Sequence, residues 1–377
     1  MLRTVTTYTR EAHLVFPGSS SGALTFSARS GVLLHGLLPA ITPRPDHRTG
    51  LPTRGRHMKH TTHPRHVIFG SGAVGTAVAE ALVRQGESVR VVNRSGRADV
   101  PDGVEVTAGD AADPAFTTAV AAGATVVYQA LNPPYHRWRQ EFPALQAGVL
   151  AAAEASGARM VSMDNVYSYG PPPGGRPFTE ETPDAATTRK GRLRGRMTQD
   201  LLAAHRAGRV EVAIGRASDY FGPRGGAQSN LGDLVVPALL AGRTATVLGD
   251  PDQPHTYTFI PDIGEALALL GRHPDAPGRV WHLPNDPRTR TTRELVDLAH
   301  RATGRPGSAR LRRMPTAALY VLGAFNPTVR ELIEMRYEFA EPFVVDSALV
   351  EERLGAVATP VEEALDRTVA AYRALRK

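Results

Sequence analysis

The 377 residues contain no cysteine. That excludes disulfides, thiolate nucleophiles, zinc–cysteine sites and iron–sulfur clusters, and it carries no information about compartment. No run of about 18 apolar residues occurs, so no transmembrane helix is expected. None of the 13 histidines stands in an HExxH or comparable metal-ligand spacing. His57, His60, His63 and His66 recur every third residue, but Pro64 and the start of a strand interrupt them, and no metal is expected. Residues 58–377 hold no Gly-x-Ser-x-Gly, which removes the nucleophile elbow of a hydrolase.

Acidic residues are scarce at the start of the chain. Residues 1–57 hold seven Arg, no Lys, and only Glu11 and Asp46 as acids, giving +5 there and leaving +2 for residues 58–377 of a total of +7. The basic excess belongs to the N-terminal segment and gives little support for a nucleic-acid surface on the folded body. That segment is rich in Arg, Ser, Thr, Gly and Pro and lacks sustained periodicity. It reads either as a flexible, transit-peptide-like extension or as the product of a start placed too far upstream, with Met58 the true beginning.

The full chain has the composition of a soluble globular protein, with 42% hydrophobic and 21% charged residues and a mean hydropathy of −0.23. From His66 onward the pattern is regular. Strands are expected at His66–Phe69, Ser88–Val92, Val104–Thr107, Thr125–Ala130, Arg159–Met163 and Val210–Ile214. Helices are expected at Ala73–Gln85, Pro114–Ala122, Trp138–Ser156 and Arg189–Arg206. This alternation predicts an α/β fold with a doubly wound parallel Rossmann sheet. Beyond Ile214 the elements shorten: helices at Leu231–Ala241, Asp262–Leu270, Thr292–Ala302, Ala317–Leu322 and Pro360–Leu375, strands at Thr244–Leu248 and Arg279–Leu283. Residues 58–223 are read as the nucleotide-binding domain. Residues 224–377 are read as a smaller C-terminal α/β substrate lobe, with the chain returning to the Rossmann core around 255–285.

The first strand runs into Gly70-Ser71-Gly72-Ala73-Val74-Gly75 and then a helix. A GxGxxG motif is weak alone and strong between a strand and a helix. Gly70 permits the tight turn, Gly72 lets the backbone approach a pyrophosphate, and Gly75 lets helix and strand pack closely. The helix N-terminus then faces the phosphates. The second strand ends Val92-Asn93-Arg94-Ser95, without the carboxylate that holds an NAD ribose. Arg94 suits a 2′-phosphate, so NADP is preferred over NAD; the other reading of Arg94 is a solvated loop cation.

On these residues the chain resembles the extended or atypical short-chain dehydrogenases/reductases, in particular the NAD-dependent epimerase/dehydratase family. The resemblance runs from about Arg65 to Lys377. It is carried by the glycine motif, Val91–Gly96, Ala108-Gly109-Asp110-Ala111, Val126–Asn132, Val161–Gly170, Arg216–Pro223 and Thr258–Ile263. It implies that Asp110 and Ala111 lie at the adenine, Asn132 beside the cofactor and Ser218 at the nicotinamide end. It also implies Ser or Thr after the fifth strand and Tyr-x-x-x-Lys on the next helix, the Tyr serving as general acid/base and the Lys lowering its pKa.

The active site departs from that pattern. Counting back from Tyr169-Gly170 puts Asn165 at the Ser/Thr position. Counting back from Leu201-Leu202 puts Gly191 and Gly195 at the Tyr and Lys positions, and residues 160–210 contain no Tyr-x-x-x-Lys. Asn165, Tyr167 and Lys190 are the substitutes considered. Lys190 has the alternative of a solvated face among Arg189, Arg192, Arg194 and Arg196, and Tyr169 that of a structural role. The expected pocket lies between Ser71, Asn132, Asn165, Lys190 and Ser218. The expected protein is cytoplasmic, a monomer or homodimer without nucleic-acid or membrane partners. It is an NAD(P)-dependent oxidoreductase or epimerase acting on a small carbonyl, hydroxyl or sugar-like substrate. The alternative is a non-catalytic NAD(P)-binding regulatory or redox-sensing protein.

Overall fold

The computed structural model describes residues 65–172 and 174–376; the N-terminal segment read above as an extension lies outside them. All described residues belong to one unit, residues 59–377.

Six strands form in the order of the sequence reading: β1 (His66–Phe69), β2 (Val89–Asn93), β3 (Glu105–Ala108), β4 (Val126–Gln129), β5 (Arg159–Asn165) and β6 (Val212–Ala217). With a late strand, β10 (Val280–His282), they make one seven-stranded sheet in the order β10-β6-β5-β4-β1-β2-β3, and every pairing is parallel. Alternate residues of β1 face opposite layers, as the strand pleat requires. Val67 and Phe69 join Val127, Val149, Met160 and Leu201 on one side, and Ile68 joins Val78, Leu82, Val91 and Leu267 on the other. Both faces are therefore buried, which accounts for the uninterrupted apolar run of β1.

The first layer consists of α2 (Pro114–Val120), α3 (Trp138–Ser156) and α4 (Arg189–Arg206); the second contains α1 (Ala73–Arg84) and α6 (Ile260–Arg272). Asp113 and Thr188 cap α2 and α4 with their side chains. Gly264 lets α6 lie against α1, since a Cβ there would stand 2.5 Å from the Ala77 backbone.

The lobe has its own core around Phe221, Val235, Leu239, Val247, Phe259, Val296 and Leu365. It carries two small parallel pairs, β7 (Asp219–Phe221) with β9 (Tyr257–Phe259) and β8 (Ala245–Val247) with β11 (Leu311–Arg313). Its helices are α5 (Val236–Leu240), α7 (Thr292–Ala302), α8 (Thr316–Phe325), α9 (Pro327–Leu332) and α11 (Val361–Ala374), with a 3-10 stretch at Ile333–Phe339, whereas α10 (Ala348–Leu354) sets Val350 and Leu354 into the sheet core that holds Ile68. The helix expected over Leu231–Ala241 is confined to Val236–Leu240. Gly232 and Pro237 delay its start, because glycine gains little from helix and proline is tolerated only in the first turn. Strands β7, β9 and β11 and helices α9 and α10 have no counterpart in the sequence reading. Three residues are too few to show alternation. No described helix is long and apolar enough to cross a membrane.

Candidate functional site

Strand β1 has β2 on one side and β4 on the other, so the strand order reverses between β1 and β4. Doubly wound sheets hold ligands outside the carboxyl ends at such a point. Gly70 occupies it with φ +110°, and a Cβ there would stand 2.4 Å from the Ala130 carbonyl oxygen. Gly75 is equally constrained, at 2.0 Å from the Gly70 carbonyl. Gly72 differs. A Cβ on it would meet no protein atom within 4 Å, so packing within the chain does not demand glycine there. Helix α1 begins immediately after it with no side-chain cap and no acidic residue in the first turn. Its first amide groups, at Ala73 and Val74, lack intrahelical acceptors. An uncapped twelve-residue helix behind an unfilled glycine is a fitting cradle for a dinucleotide diphosphate.

Asn93 builds the neighbouring wall. Its Nδ2 donates to Ser71 Oγ at 2.7 Å and to the Arg97 carbonyl at 2.8 Å, while its Oδ1 accepts from the Ser95 and Gly96 amides at 3.0 and 2.7 Å. This holds the β2–β3 loop so that the exposed Arg94 and Arg97 project from it. Asp110 is exposed and accepts from the Ala112 amide at 2.9 Å, and Ala111 is buried. Asn132 accepts from Trp138 Nε1 and donates to Gln228 Oε1. Ser218 is buried, donating its hydroxyl to the Thr256 carbonyl at 2.8 Å, with its amide on Thr258 Oγ1.

Asn165 and Tyr167 lie at the carboxyl end of β5. Asn165 Oδ1 accepts from the Tyr167 amide and starts the 3-10 turn Val166–Tyr169. At Gly191 a Cβ would stand 2.4 Å from the Tyr167 carbonyl and 2.3 Å from Ala186 Cβ, so no side chain fits there without movement. The helical face one residue earlier, Lys190 and Arg194, points inward instead. Lys190 is buried rather than solvated. Its ammonium pairs with Glu331 and, at 3.5 Å, Glu334, and it lies 4.5 Å from the centre of the Tyr135 ring. Arg194 and Arg216 both bind Asp164, at 2.6 and 3.0 Å, beside Thr198. Burial alone would raise the Asp164 carboxyl pKa, but the two guanidiniums outweigh it and hold the carboxyl below its usual range. Tyr169 is fixed by His282 Nε2 at 2.6 Å, with Arg216 over its ring. Burial pushes the hydroxyl pKa of Tyr169 up to about 12 and pulls the imidazole pKa of His282 down to about 4.

A second group of side chains gathers at the same sheet edge. Tyr135 follows β4, Tyr167 follows β5, and Asp219 opens β7 just beyond β6; the 3-10 stretch Ile333–Phe339 adds Tyr337 and Glu338. His255 bridges them, with Nε2 2.8 Å from Asp219 Oδ2 and Nδ1 3.1 Å from the Glu338 carbonyl. Among the described residues the Tyr337 hydroxyl and Glu338 Oε1 are buried without a hydrogen-bond partner, and the Tyr135 hydroxyl has only a weak contact with Tyr167. Burial raises the Glu338 carboxyl pKa well above the usual carboxylate range, and the charge of Asp219 adds to it. Burial likewise raises the phenol pKa values of Tyr135, Tyr167 and Tyr337. The sequence reading did not bring these residues together and missed His255, Tyr337 and Glu338. Neither His255 nor the 333–339 stretch sits in a motif, and only the tertiary fold brings them to β4 and β5.

Against known proteins, the profile of the NAD dependent epimerase/dehydratase family matches residues 67–283. No curated protein matches the chain. Among solved structures, the chain is similar to UDP-glucose 4-epimerase of Thermotoga maritima, crystallised with UDP-glucose. The identity is 15% and the TM-score 0.68, over 83% of this chain and 99% of that one. It is also similar to the dTDP-glucose 4,6-dehydratase DesIV of Streptomyces venezuelae, solved with NAD (18%, TM-score 0.64, 83% and 98%). A third similar structure is UDP-glucuronic acid 4-epimerase of Bacillus cereus in complex with NAD (12%, TM-score 0.65, 83% and 99%). At these identities the likeness is one of fold.

Proposed function

The chain belongs to the NAD dependent epimerase/dehydratase family, and from that premise we propose that it is a nicotinamide-dependent oxidoreductase or epimerase acting on a carbonyl or hydroxyl of a small polar or sugar-nucleotide substrate. One observation carries the reading: the uncapped start of α1 behind the open Gly72, at the point where the strand order reverses. When bound, the dinucleotide supplies or accepts a hydride, and the protein's part is position and proton. Gly70–Gly75 hold the diphosphate, Asn93 shapes the adenosine-side loop, and the edge formed by Asn132, Asn165 and Tyr167 receives the nicotinamide and substrate. Sugar nucleotides enter the proposal because similar structures are described with UDP-glucose. A protein of this kind works beside the nucleotide pool of the cytoplasm, as a monomer or homodimer.

The preferred cofactor is NADP. Arg94 is exposed and makes no side-chain bond to another described residue, so its guanidinium is available to a 2′-phosphate. Arg94→Ala is expected to weaken NADPH binding about tenfold or more, corresponding to a lost charge-assisted hydrogen bond of roughly 1.5–3 kcal/mol, while leaving NADH binding within about twofold. Fluorescence titration of both nucleotides checks this. An equal loss for the two, or none for either, removes Arg94 from the site.

One observation favours the second reading, a binding module without turnover. Helix α4 has no room for a side chain at Gly191, and its inward lysine is already paired with two glutamates. The readings separate in a screen of NADP with UDP-sugars and of NADPH with aldehydes and ketones. Tight nucleotide binding with no conversion of any of them favours the module.

A further inference from the structure

We infer that Glu338 takes part in the reaction as a neutral carboxylic acid that gives its proton to the substrate oxygen, with Tyr135 and Tyr167 holding that oxygen. This deepens the enzyme reading above, on which it rests, and names a group from the lobe that does the work of the missing helix tyrosine.

Three observations converge. First, folded proteins leave few buried polar atoms unbonded, yet among the described residues the Tyr337 hydroxyl and Glu338 Oε1 are buried and unbonded, and the Tyr135 hydroxyl beside them has only a weak contact with Tyr167. Such a concentration points to a missing ligand that carries oxygen. Second, the cluster lies at the carboxyl ends of β4, β5 and β6, the edge shared with the dinucleotide cradle. Third, Glu338 is 1% exposed and the nearby cations are engaged elsewhere. On α4, Lys190 is neutralised by Glu331 and Glu334. His255, preceding β9, gives one ring nitrogen to Asp219 of β7 and the other to the Glu338 main chain rather than its carboxyl. The remaining titratable neighbours are Tyr135, Tyr167 and Tyr337, none of them a cation. A carboxyl buried beside Asp219 without a counter-charge keeps its proton.

In the reducing direction the substrate carbonyl carbon gains a hydride from the reduced nicotinamide dinucleotide. Its oxygen takes the Glu338 proton as the carboxyl O–H bond breaks, giving an alcohol and a carboxylate. Water restores the proton when the product leaves. In the oxidising direction each transfer reverses, and the Glu338 carboxylate accepts the hydroxyl proton.

The test compares the wild-type full chain with Glu338→Gln, which keeps shape and neutrality but has no acidic proton. Infrared spectra near pH 7 are expected to show a neutral carboxylic acid band in the wild type that is lost in the variant. Thermal scans across pH give the second readout. A carboxyl whose folded pKa is raised holds a proton that the unfolded chain has lost, so wild-type stability falls as pH rises above the unfolded value of about 4.3. Glu338→Gln is expected to remove that fall. With methylglyoxal plus NADPH, and UDP-glucose plus NADP, as probes, the variant is expected to lose about 10²–10³ of kcat while binding NADPH within about twofold of wild type. Wild-type kcat in the variant, or no acid band in the wild type, overturns the inference alone. Failure of the wild type to bind NADPH overturns the enzyme reading with it. If the wild type binds NADPH but turns over neither probe, the acid band must shift when UDP-glucose is added; an unmoved band overturns the inference.

Discussion

Gly72→Val should abolish dinucleotide binding and leave the fold standing. The new side chain projects into space that holds no protein atom within 4 Å, so the apoprotein has nothing to repack and its melting temperature should move little. That same space is where a diphosphate would meet the α1 amides, and two extra methyl groups would keep it out. The expected loss in NADPH affinity is at least about 100-fold, equivalent to roughly 3 kcal/mol, read by titration calorimetry on samples whose melting is recorded in parallel. The neighbouring glycine gives the contrast. Gly75→Val would drive its Cβ into the Gly70 carbonyl, 2.0 Å away, and is expected to unfold the chain or lower its melting temperature sharply. If Gly72→Val binds NADPH as well as wild type does, the cradle is not where the nucleotide sits.

Asp164→Ala should be among the most destabilising single substitutions in the sheet. It strips the shared counter-charge from two buried guanidiniums, Arg194 and Arg216, and the acceptor from Thr198. Removing one partner of a buried ion pair costs about 3–5 kcal/mol, because the remaining charge stays unsolvated. Arg216 keeps a second carboxylate, Asp184 at 3.4 Å, whereas Arg194 loses its only one among the described residues, so Arg194 is expected to drag α4 outward. In the wild type the Asp164 pKa is lower folded than unfolded. Its contribution is therefore complete above the unfolded value of about 3.9 and disappears as pH falls through the lower folded value. Urea midpoints measured down through that range should drop in the wild type more than in Asp164→Ala; parallel curves would mean that the triad adds nothing to stability.

Where the sequence spoke and where it was silent have physical causes. Helices α3, α4 and α7 were legible to the residue because each has many turns of one-sided apolar pattern and, in α4 and α7, a threonine cap. The same holds for β1, bounded by a glycine turn. In the glycine motif the duties read for Gly70 and Gly75 are visible as close backbone approaches. Lys190 was harder. A helix face reading Arg-Lys-Gly-Arg looks solvated, and only the carboxylates of Glu331 and Glu334, more than 140 positions away, turn it into a buried pair. Glu338 offered no signal at all. A lone glutamate in a short 3-10 stretch has neither period nor motif, and its setting comes from β4, β5 and β7.

Strand β10 lies well beyond residue 223, between the lobe elements β9 and α7, yet completes the edge of the Rossmann sheet beside β6. Its His282 also pins Tyr169, at the turn that carries Tyr167. A fragment ending at residue 223 would thus lack its own outermost strand, leaving the backbone amides and carbonyls of β6 unpaired and ready to zip onto another copy. Expressed alone, the nucleotide-binding half is expected to precipitate, and the two halves must be inherited, and engineered, as a single piece.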